Sequence, residues 1–317
     1  MLIDEFISYI SSVRRYSDRT VDIYRSVLEE YCSYSIEGNR GEDIIKSLNN
    51  TAIRNYEVYL LDTRKESSKT VNLHLSVLSS FCRFLMKKGM LEANPVRLVA
   101  RPKTEKRLPV FYREESMEEY FESTGYLEDE ENIDIVSYDS ILNHLILSIL
   151  FNTGIRRSEL INLTLNSFDG KRKVLVVKGK GDKMREIPLT ENICHEICLY
   201  LQKVTSELKC TQGPDSPLLL TRKGEKLYPV FVDRAIKSEL GGVGSITGRK
   251  SPHVLRHTLA TELLNNGADL NSIKELLGHS SLAATQVYTH NSIEKLRKVY
   301  KQAHPRAKSE GNYGDKD

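Results

Sequence analysis

Five places in the second half of the chain carry side chains that bind phosphate or move protons. Arg156 lies in TGIRRSEL, directly after an apolar run, and Gly154 before it suggests a tight turn that exposes the guanidinium. Lys180 sits between two glycines at the tip of a predicted hairpin. His253 and Arg256 are three residues apart in SPHVLRHT, so on a helix they share a face. Pro252 suits the first turn of that helix. His279 follows a glycine helix stop in LLGHSS, and Tyr288 follows in TQVYTH.

A single reaction uses all of these types. Two arginines offer planar forks that match phosphate oxygens. A phosphoryl transition state with extra equatorial charge is their natural ligand. Histidine exchanges protons near neutral pH. A lysine on a hairpin tip can protonate a leaving alkoxide, and a tyrosine hydroxyl can attack phosphorus and hold it as a covalent ester. No carboxylate cluster marks a magnesium site, so side-chain cations are expected to supply the charge, with no cofactor, metal or ATP. Each feature alone is ordinary. A lone tyrosine is usually core or surface, an HxxR pair is often a surface pair, and a lysine between glycines is usually a solvated turn. Their order within whole motifs carries the argument.

The elements that must position these residues follow from periodicity. Residues 1 to about 97 read as helices. Ser17 is the expected N-cap for a helix carrying Val21, Tyr24, Leu28 and Tyr31. A second helix is predicted from about Thr51 to Leu61. A third follows Ser67-Ser68 and stops at Lys87-Lys88-Gly89, a basic last turn before a glycine. Asn94-Pro95 punctuates the chain, and RPKTEKRLP, with Arg101, Lys103, Lys106 and Arg107, reads as a basic linker. Beyond it, residues 114–131 read as an exposed acidic helix and loop, and residues 141–151 as a buried apolar helix. Lys173 to Val177 and Arg185 to Leu189 read as a hairpin around Gly179-Lys180-Gly181-Asp182. Further helices are expected at about 190–208, 229–239, 254–266, 270–277, 282–287 and 291–301, then a polar tail. No internal repeat is expected.

With 317 residues the chain suggests two domains. The net charge of +3 does not itself reveal a nucleic-acid partner, so a DNA-binding face must be local. No apolar run is long enough for a membrane span, and the N-terminus lacks a basic secretory n-region, so a cytoplasmic protein without membrane contact is expected. The five cysteines are scattered, which suits a reducing compartment rather than a disulfide framework. Cys194, His195 and Cys198 lie close together, but no second ligand cluster follows, so a packed helix face is preferred to zinc.

In these motifs the sequence resembles the tyrosine recombinases, and within them the bacterial Xer recombinases. TGIRRSEL resembles the first arginine box of that family, VKGKGDKMREIPL its lysine hairpin, SPHVLRHTLAT its HxxR box and LLGHSSLAATQVYTH its histidine and nucleophile box. FCRFLMKKGMLEANP resembles the end of its DNA-clamping domain, and HNSIEKLRKVYKQAHPRA the Xer C-terminal helix. None of the six active-site positions is substituted.

The resemblance implies a mainly α fold in two domains. A helical SAM-like core-binding clamp at 1–100 and a basic linker at 101–109 precede a mixed α/β catalytic domain at 110–303 with a small antiparallel sheet. A polar tail occupies 304–317, and the two halves would close as a C around duplex DNA. The resemblance also implies roles. Arg156 and Arg256 would bind the scissile phosphate, and His253 would be general base or orient the phosphate. Lys180 would be general acid, His279 would bond the phosphate and help position the nucleophile, and Tyr288 would form a 3′-phosphotyrosyl bond. Glu159 and Thr258 would support these groups. Arg14, Arg15, Lys69, Arg83, Lys87, Lys88, Arg222, Lys223, Arg249 and Lys250, with the linker bases, are candidate phosphate contacts.

The implied partners are a double-stranded recombination site, recombinase protomers in a homo- or hetero-tetramer and a septal DNA translocase. The implied function is Xer-type recombination resolving chromosome dimers at a dif-like site, with a mobile-element integrase or DNA invertase as the alternative within the class. A type IB topoisomerase and a non-catalytic DNA-binding protein are the rivals outside it.

Overall fold

Small polar side chains start the helices of the first half, because the first backbone N–H groups of a helix need acceptors. Asn49 accepts from the Ala52 N–H, Ser67 from the Thr70 N–H and Asn94 from the Val96 N–H. The computed structural model describes residues 2–39, 44–104, 110–125, 135–179, 182–208, 213–278 and 302–303. They fall into two units, residues 1–107 and 108–317.

The first unit contains α1 (Leu2–Ser8), α2 (Asp18–Asn39), α3 (Ile44–Ser47), α4 (Asn50–Val58), α5 (Ser68–Lys87) and a 3-10 turn at Pro95–Leu98. On α5, Val71, Leu75, Leu78, Phe81 and Leu85 form one buried stripe at helical spacing, against Phe6, Leu28, Ile53 and Leu60. Two buried tyrosines keep partners in this core: Tyr31 donates to Ser47 O at 2.8 Å, and Tyr56 bonds His74 Nδ1 at 2.9 Å.

Contrary to the expectation of no repeat, this unit uses one elbow twice. The helix at Leu2–Ser8 runs into a π turn at Tyr9–Val13, Arg15 adopts φ +51°, and Ser17 precedes α2 with its hydroxyl 2.8 Å from Thr20 Oγ1. The helix at Asn50–Val58 runs into a π turn at Tyr59–Thr63, Lys65 adopts φ +55°, and Ser67 precedes α5 with its hydroxyl 3.0 Å from Thr70 Oγ1. The backbone bonds match too: Arg14 N–H to Tyr9 O and Tyr16 N–H to Ile10 O in one, Arg64 N–H to Tyr59 O and Glu66 N–H to Leu60 O in the other. The residues repeat as well: Tyr9, Arg14, Ser17, Thr20 and Val21 recur in the same order and spacing as Tyr59, Arg64, Ser67, Thr70 and Val71. The second π turn also carries the α4 rod past the predicted stop at Leu61.

The second unit starts with α6 (Glu114–Thr124), which buries Ser116, Met117 and Tyr120 and is therefore less exposed than its acidic sequence suggests. Next come α7 (Tyr138–Thr153) and α8 (Arg157–Ile161). Then come β1 (Phe168–Asp169), β2 (Val174–Lys178) and β3 (Met184–Pro188), in an antiparallel sheet of order β1-β2-β3. The sheet is followed by α9 (Glu191–Leu208), α10 (Pro229–Glu239), α11 (Pro252–Asn265) and α12 (Leu270–Leu277). Helix α7 is apolar on all sides and is the central rod of the core, packed by α9, α10 and α11. The expected hairpin forms with Val177 opposite Arg185 and Val176 opposite Glu186. The short α8 and β1 were not expected. The helices predicted at 282–287 and 291–301 lie outside the described residues.

One core residue conflicts with its surroundings. Glu262 on α11 is buried, and among the described residues neither carboxyl oxygen has a hydrogen-bond partner. Burial, then the nearby Glu114 and Glu118 carboxylates, push its pKa up to about 8 from the ordinary 4.5. A raised acid is protonated in the folded protein, so its stability contribution is complete below about pH 4.5 and is lost as pH rises towards 8. Glu262→Gln should therefore gain on wild type by on the order of 3 kcal/mol between pH 5 and 8, read by urea unfolding at both values. An advantage independent of pH would refute this account.

Candidate active site

Two helices of the second unit end with carbonyls that need donors, and arginines supply them. Helix α7 ends at Gly154, in a left-handed turn with φ +61°, where an added Cβ would stand 2.6 Å from Leu277 Cδ2 and 2.9 Å from Leu259 Cδ2. Helix α12 ends at Gly278, with φ +66°. Arg256, from α11, donates to Gly154 O at 2.6 Å and to Leu277 O at 2.5 Å. Arg156 donates from Nη2 to Gly278 O at 3.0 Å. Arg185, on β3, donates from Nε to Leu276 O at 3.1 Å.

Glu159 sits among these cations. One oxygen accepts from Arg156 Nη1 at 2.8 Å and the other from the Arg156 N–H at 2.8 Å, which closes the first turn of α8. Both also accept from Arg185, at 3.1 and 2.8 Å. Burial pushes the Glu159 carboxyl up, but Arg185 and the Arg156 N–H outweigh it and hold the pKa below the usual range. Burial and the Arg156 guanidinium pull Arg256 down to about 10. Three guanidiniums around one carboxylate leave a positive excess.

His253 lies on α11 one turn before Arg256, exposed. Burial of part of the ring, then His257, Arg157, Arg256 and Arg249, lower its pKa, so the neutral imidazole is favoured. Arg157 is itself held by an ion pair with Asp233 of α10. Thr258 anchors the start of the unit: its Oγ1 accepts from the Tyr112 N–H at 2.9 Å, while Tyr112 Oη donates to Arg249 O at 2.9 Å.

Thus the structure brings Arg156, Arg256 and His253 into one region, with Glu159 and Thr258 supporting it. Lys180, His279 and Tyr288 lie outside the described residues. The residues that lead into two of them are described. Gly179 donates to Lys183 O at 2.8 Å across the hairpin, and Gly278 ends α12. Further along, Ala303 is buried in the core of this unit, and its carbonyl accepts from Asn266 at 2.9 Å.

Arg185 is the functional candidate that sequence reasoning missed. Its signal was strand alternation: it shares a face with Ile187, which is buried, so a charge pointed into the core and needed a partner.

The other candidates spread out. Arg14, Arg15, Lys69, Arg83, Arg222, Lys223 and Arg249 are exposed, and Lys250 is partly covered. Lys87 donates to Tyr9 Oη at 3.2 Å and Lys88 pairs with Glu5, so both are held within their own unit. On α9, Cys194 is buried while His195 and Cys198 are exposed. Among the described residues no group of three or more metal-ligating side chains could hold an ion, and no helix is long and apolar enough to cross a membrane.

Comparison with known proteins places this geometry. Residues 127–295 match the phage integrase family, and residues 3–89 match its N-terminal SAM-like domain. The chain is 32% identical to a tyrosine recombinase XerC of Chlorobaculum parvum over 96% of this chain and 94% of that one. It is 34% identical to the XerC of Bacillus subtilis over 95% of each. Its fold is similar to that of the XerH site-specific recombinase bound to a palindromic difH substrate, with TM-score 0.67, 18% identity and coverage of 98% of this chain and 84% of that one.

The electrostatics predict a titration. By NMR, the His253 imidazole should titrate below the ordinary 6.5, and Arg157→Gln should move the midpoint up by removing one of the cations that depress it. An unmoved midpoint would show that Arg157 contributes nothing to this field.

Proposed function

We propose that this chain, which belongs to the phage integrase family of tyrosine recombinases, cuts and rejoins DNA strands through a 3′-phosphotyrosyl link to Tyr288. The observation that carries this reading is the cationic cradle. Arg156 and Arg256 donate to the adjacent carbonyls of Gly278 and Leu277, and the Glu159 carboxylate bridges Arg156 to Arg185. Bringing an anion there relieves the repulsion among these cations, and a pentacoordinate phosphorane carries more charge than the ground-state diester.

In the proposed step the Tyr288 oxygen attacks phosphorus and its proton passes to neutral His253. The bond from phosphorus to the 5′ oxygen breaks, and that oxygen takes a proton from Lys180. Arg156, Arg256 and His279 bond the non-bridging oxygens. The product ester resembles the bond it replaced, so the 5′ hydroxyl of a second strand can reverse the attack without ATP. The depressed pKa of His253 suits a base that must be neutral near pH 7. Two arginines and a lysine supply the positive charge that metals supply elsewhere.

The clamp at 1–100, the linker at 101–109 and the catalytic domain at 110–303 are proposed to grip a recombination site together. Arg14, Arg15, Lys69, Arg83, Arg222, Lys223, Arg249 and Lys250 would meet phosphates and set salt dependence. Full-length likeness to XerC proteins supports a role in resolving chromosome dimers at a dif-like site, in the cytoplasm, within a tetramer activated by a septal translocase. The helix after Tyr288 is proposed to dock on a neighbouring protomer and time its attack.

Nuclease protection on the source genome would select a duplex, and a nicked suicide version of it would then trap the intermediate. Wild type should form a complex that survives a denaturing gel, and Tyr288→Phe should form none. Absence of the complex with wild type, at a site the protein protects, would remove the covalent mechanism.

A further inference from the structure

We infer that Arg185 is the positioning residue that sets three catalytic groups relative to one another, an inference that rests on the function proposed above. Its guanidinium bonds Glu159 and Leu276 and lies against Gly278 and Gly179, each of which leads to or supports an active-site position. Through Glu159 it braces Arg156, since the carboxylate oxygens that accept from Arg185 also accept from the Arg156 side chain and backbone. Through Gly278 it meets the residue before His279: a Cβ added there would lie 3.1 Å from Arg185 Cζ and Nη1, and 3.2 Å from Nε. Arg185 Nε also holds the Leu276 carbonyl two residues earlier. Through Gly179 it meets the residue before Lys180: a Cβ there would lie 3.5 Å from Arg185 Nη1 and 3.7 Å from Glu159 Oε1. One side chain thus lies near two glycines whose next residues are the proposed acid and a proposed phosphate ligand.

Chemistry favours arginine for this task. A planar fork makes the bidentate bond to Glu159 and still presents Nε to a carbonyl, in one rigid plane. A lysine keeps the charge but offers a single nitrogen on a flexible stem. Arg185 itself is buried, and its donors already serve Glu159 and Leu276. Its effect on the reaction is therefore exerted through Arg156, Lys180 and His279.

The test compares wild type, Arg185→Lys and Lys180→Ala on two nicked duplexes of the protected site. One carries the natural phosphate. The other carries a 5′-bridging phosphorothiolate, whose leaving thiolate departs without a proton because a thiol is far more acidic than an alcohol. Arg185→Lys should slow covalent-complex formation on the phosphate about a hundredfold, the scale set by a displacement of about 1 Å in a catalytic group. Equilibrium binding of the same duplex should change less than about threefold, because phosphate contacts outside this cradle carry most of the affinity.

The deciding readout is the ratio of the two cleavage rates, which a partly unfolded sample leaves unchanged. It should rise about tenfold or more in Arg185→Lys, in the same direction as in Lys180→Ala, because tenfold marks a clear loss of general-acid catalysis. A wild-type ratio in Arg185→Lys beside a raised one in Lys180→Ala overturns the positioning role and leaves the proposed function standing. A wild-type ratio in both overturns the acid role of Lys180 and this inference with it.

Discussion

The C-terminal ends of α7 and α12 leave carbonyls that no residue of their own helix can satisfy, and the catalytic unit is organised around meeting that need with arginine. Gly154, Leu276, Leu277 and Gly278 all present oxygens to guanidinium groups. Each helix end is negative, so cations are favoured there twice over, by hydrogen bonding and by the dipole. The arrangement concentrates three guanidiniums in a small volume. One buried carboxylate, Glu159, keeps that concentration tolerable, and removing one partner from such a buried pair typically costs about 3–5 kcal/mol. What stabilises the fold here also prepares an anion site. The remaining positive excess is a cost to the protein alone, and on the proposed function it would become a gain when a phosphate arrives.

Much of this was legible in the residues. The helix stop at Gly278, the tight turn at Gly154, the shared face of His253 and Arg256, and the hairpin that leads to Lys180 all follow from local rules. Those rules act over a few residues, and the backbone obeyed them to within one residue at both strands of the hairpin and more closely still in α10 and α12. What escaped were features fixed over long sequence distances. Nothing local says that Arg185 reaches Glu159, since the partner lies in a different element and only the fold brings it near. The short helix α8 escaped because five residues carry little periodicity; it forms because Glu159 returns to cap the Arg156 N–H. The acidic surface of α6 hid Met117 and Tyr120, which face inward and pack.

The N-terminal unit holds a repeat that was legible in the residues although none was expected. Its two elbows share both backbone geometry and residues, with Tyr9, Arg14, Ser17 and Thr20 matched by Tyr59, Arg64, Ser67 and Thr70. Both end a helix in a π turn, place a basic residue in left-handed conformation and restart at a serine. A positive φ on a non-glycine residue is unfavourable by about 1 kcal/mol or more, so its recurrence at Arg15 and Lys65 means that the surrounding bonds over-determine it. In both copies the over-determining bonds are the same: one donor to the first residue of the π turn and another to the residue after it. The repeat is written in the letters too, since Val27, Leu28 and Cys32 of α2 recur at the same spacing as Val77, Leu78 and Cys82 of α5.

The two halves also bear differently on catalysis. Exposed bases in the first unit are screened, and on the proposed function they would set how tightly and at what salt DNA is held. The cradle in the second unit is partly dry, and its charges are felt at short range with little screening. The pKa values of Arg256 and His253 both fall there, which is the signature of cations crowded under burial. On the proposed mechanism these two shifts serve one end. A base must be neutral to accept the tyrosine proton; burial of part of the ring, then His257 and Arg157, depress His253 most, and Arg256, a proposed phosphate ligand, adds to them. On that mechanism one charge, Arg256, would both help to tune His253 and bind the phosphate, while burial, His257 and Arg157 supply the larger part of the tuning.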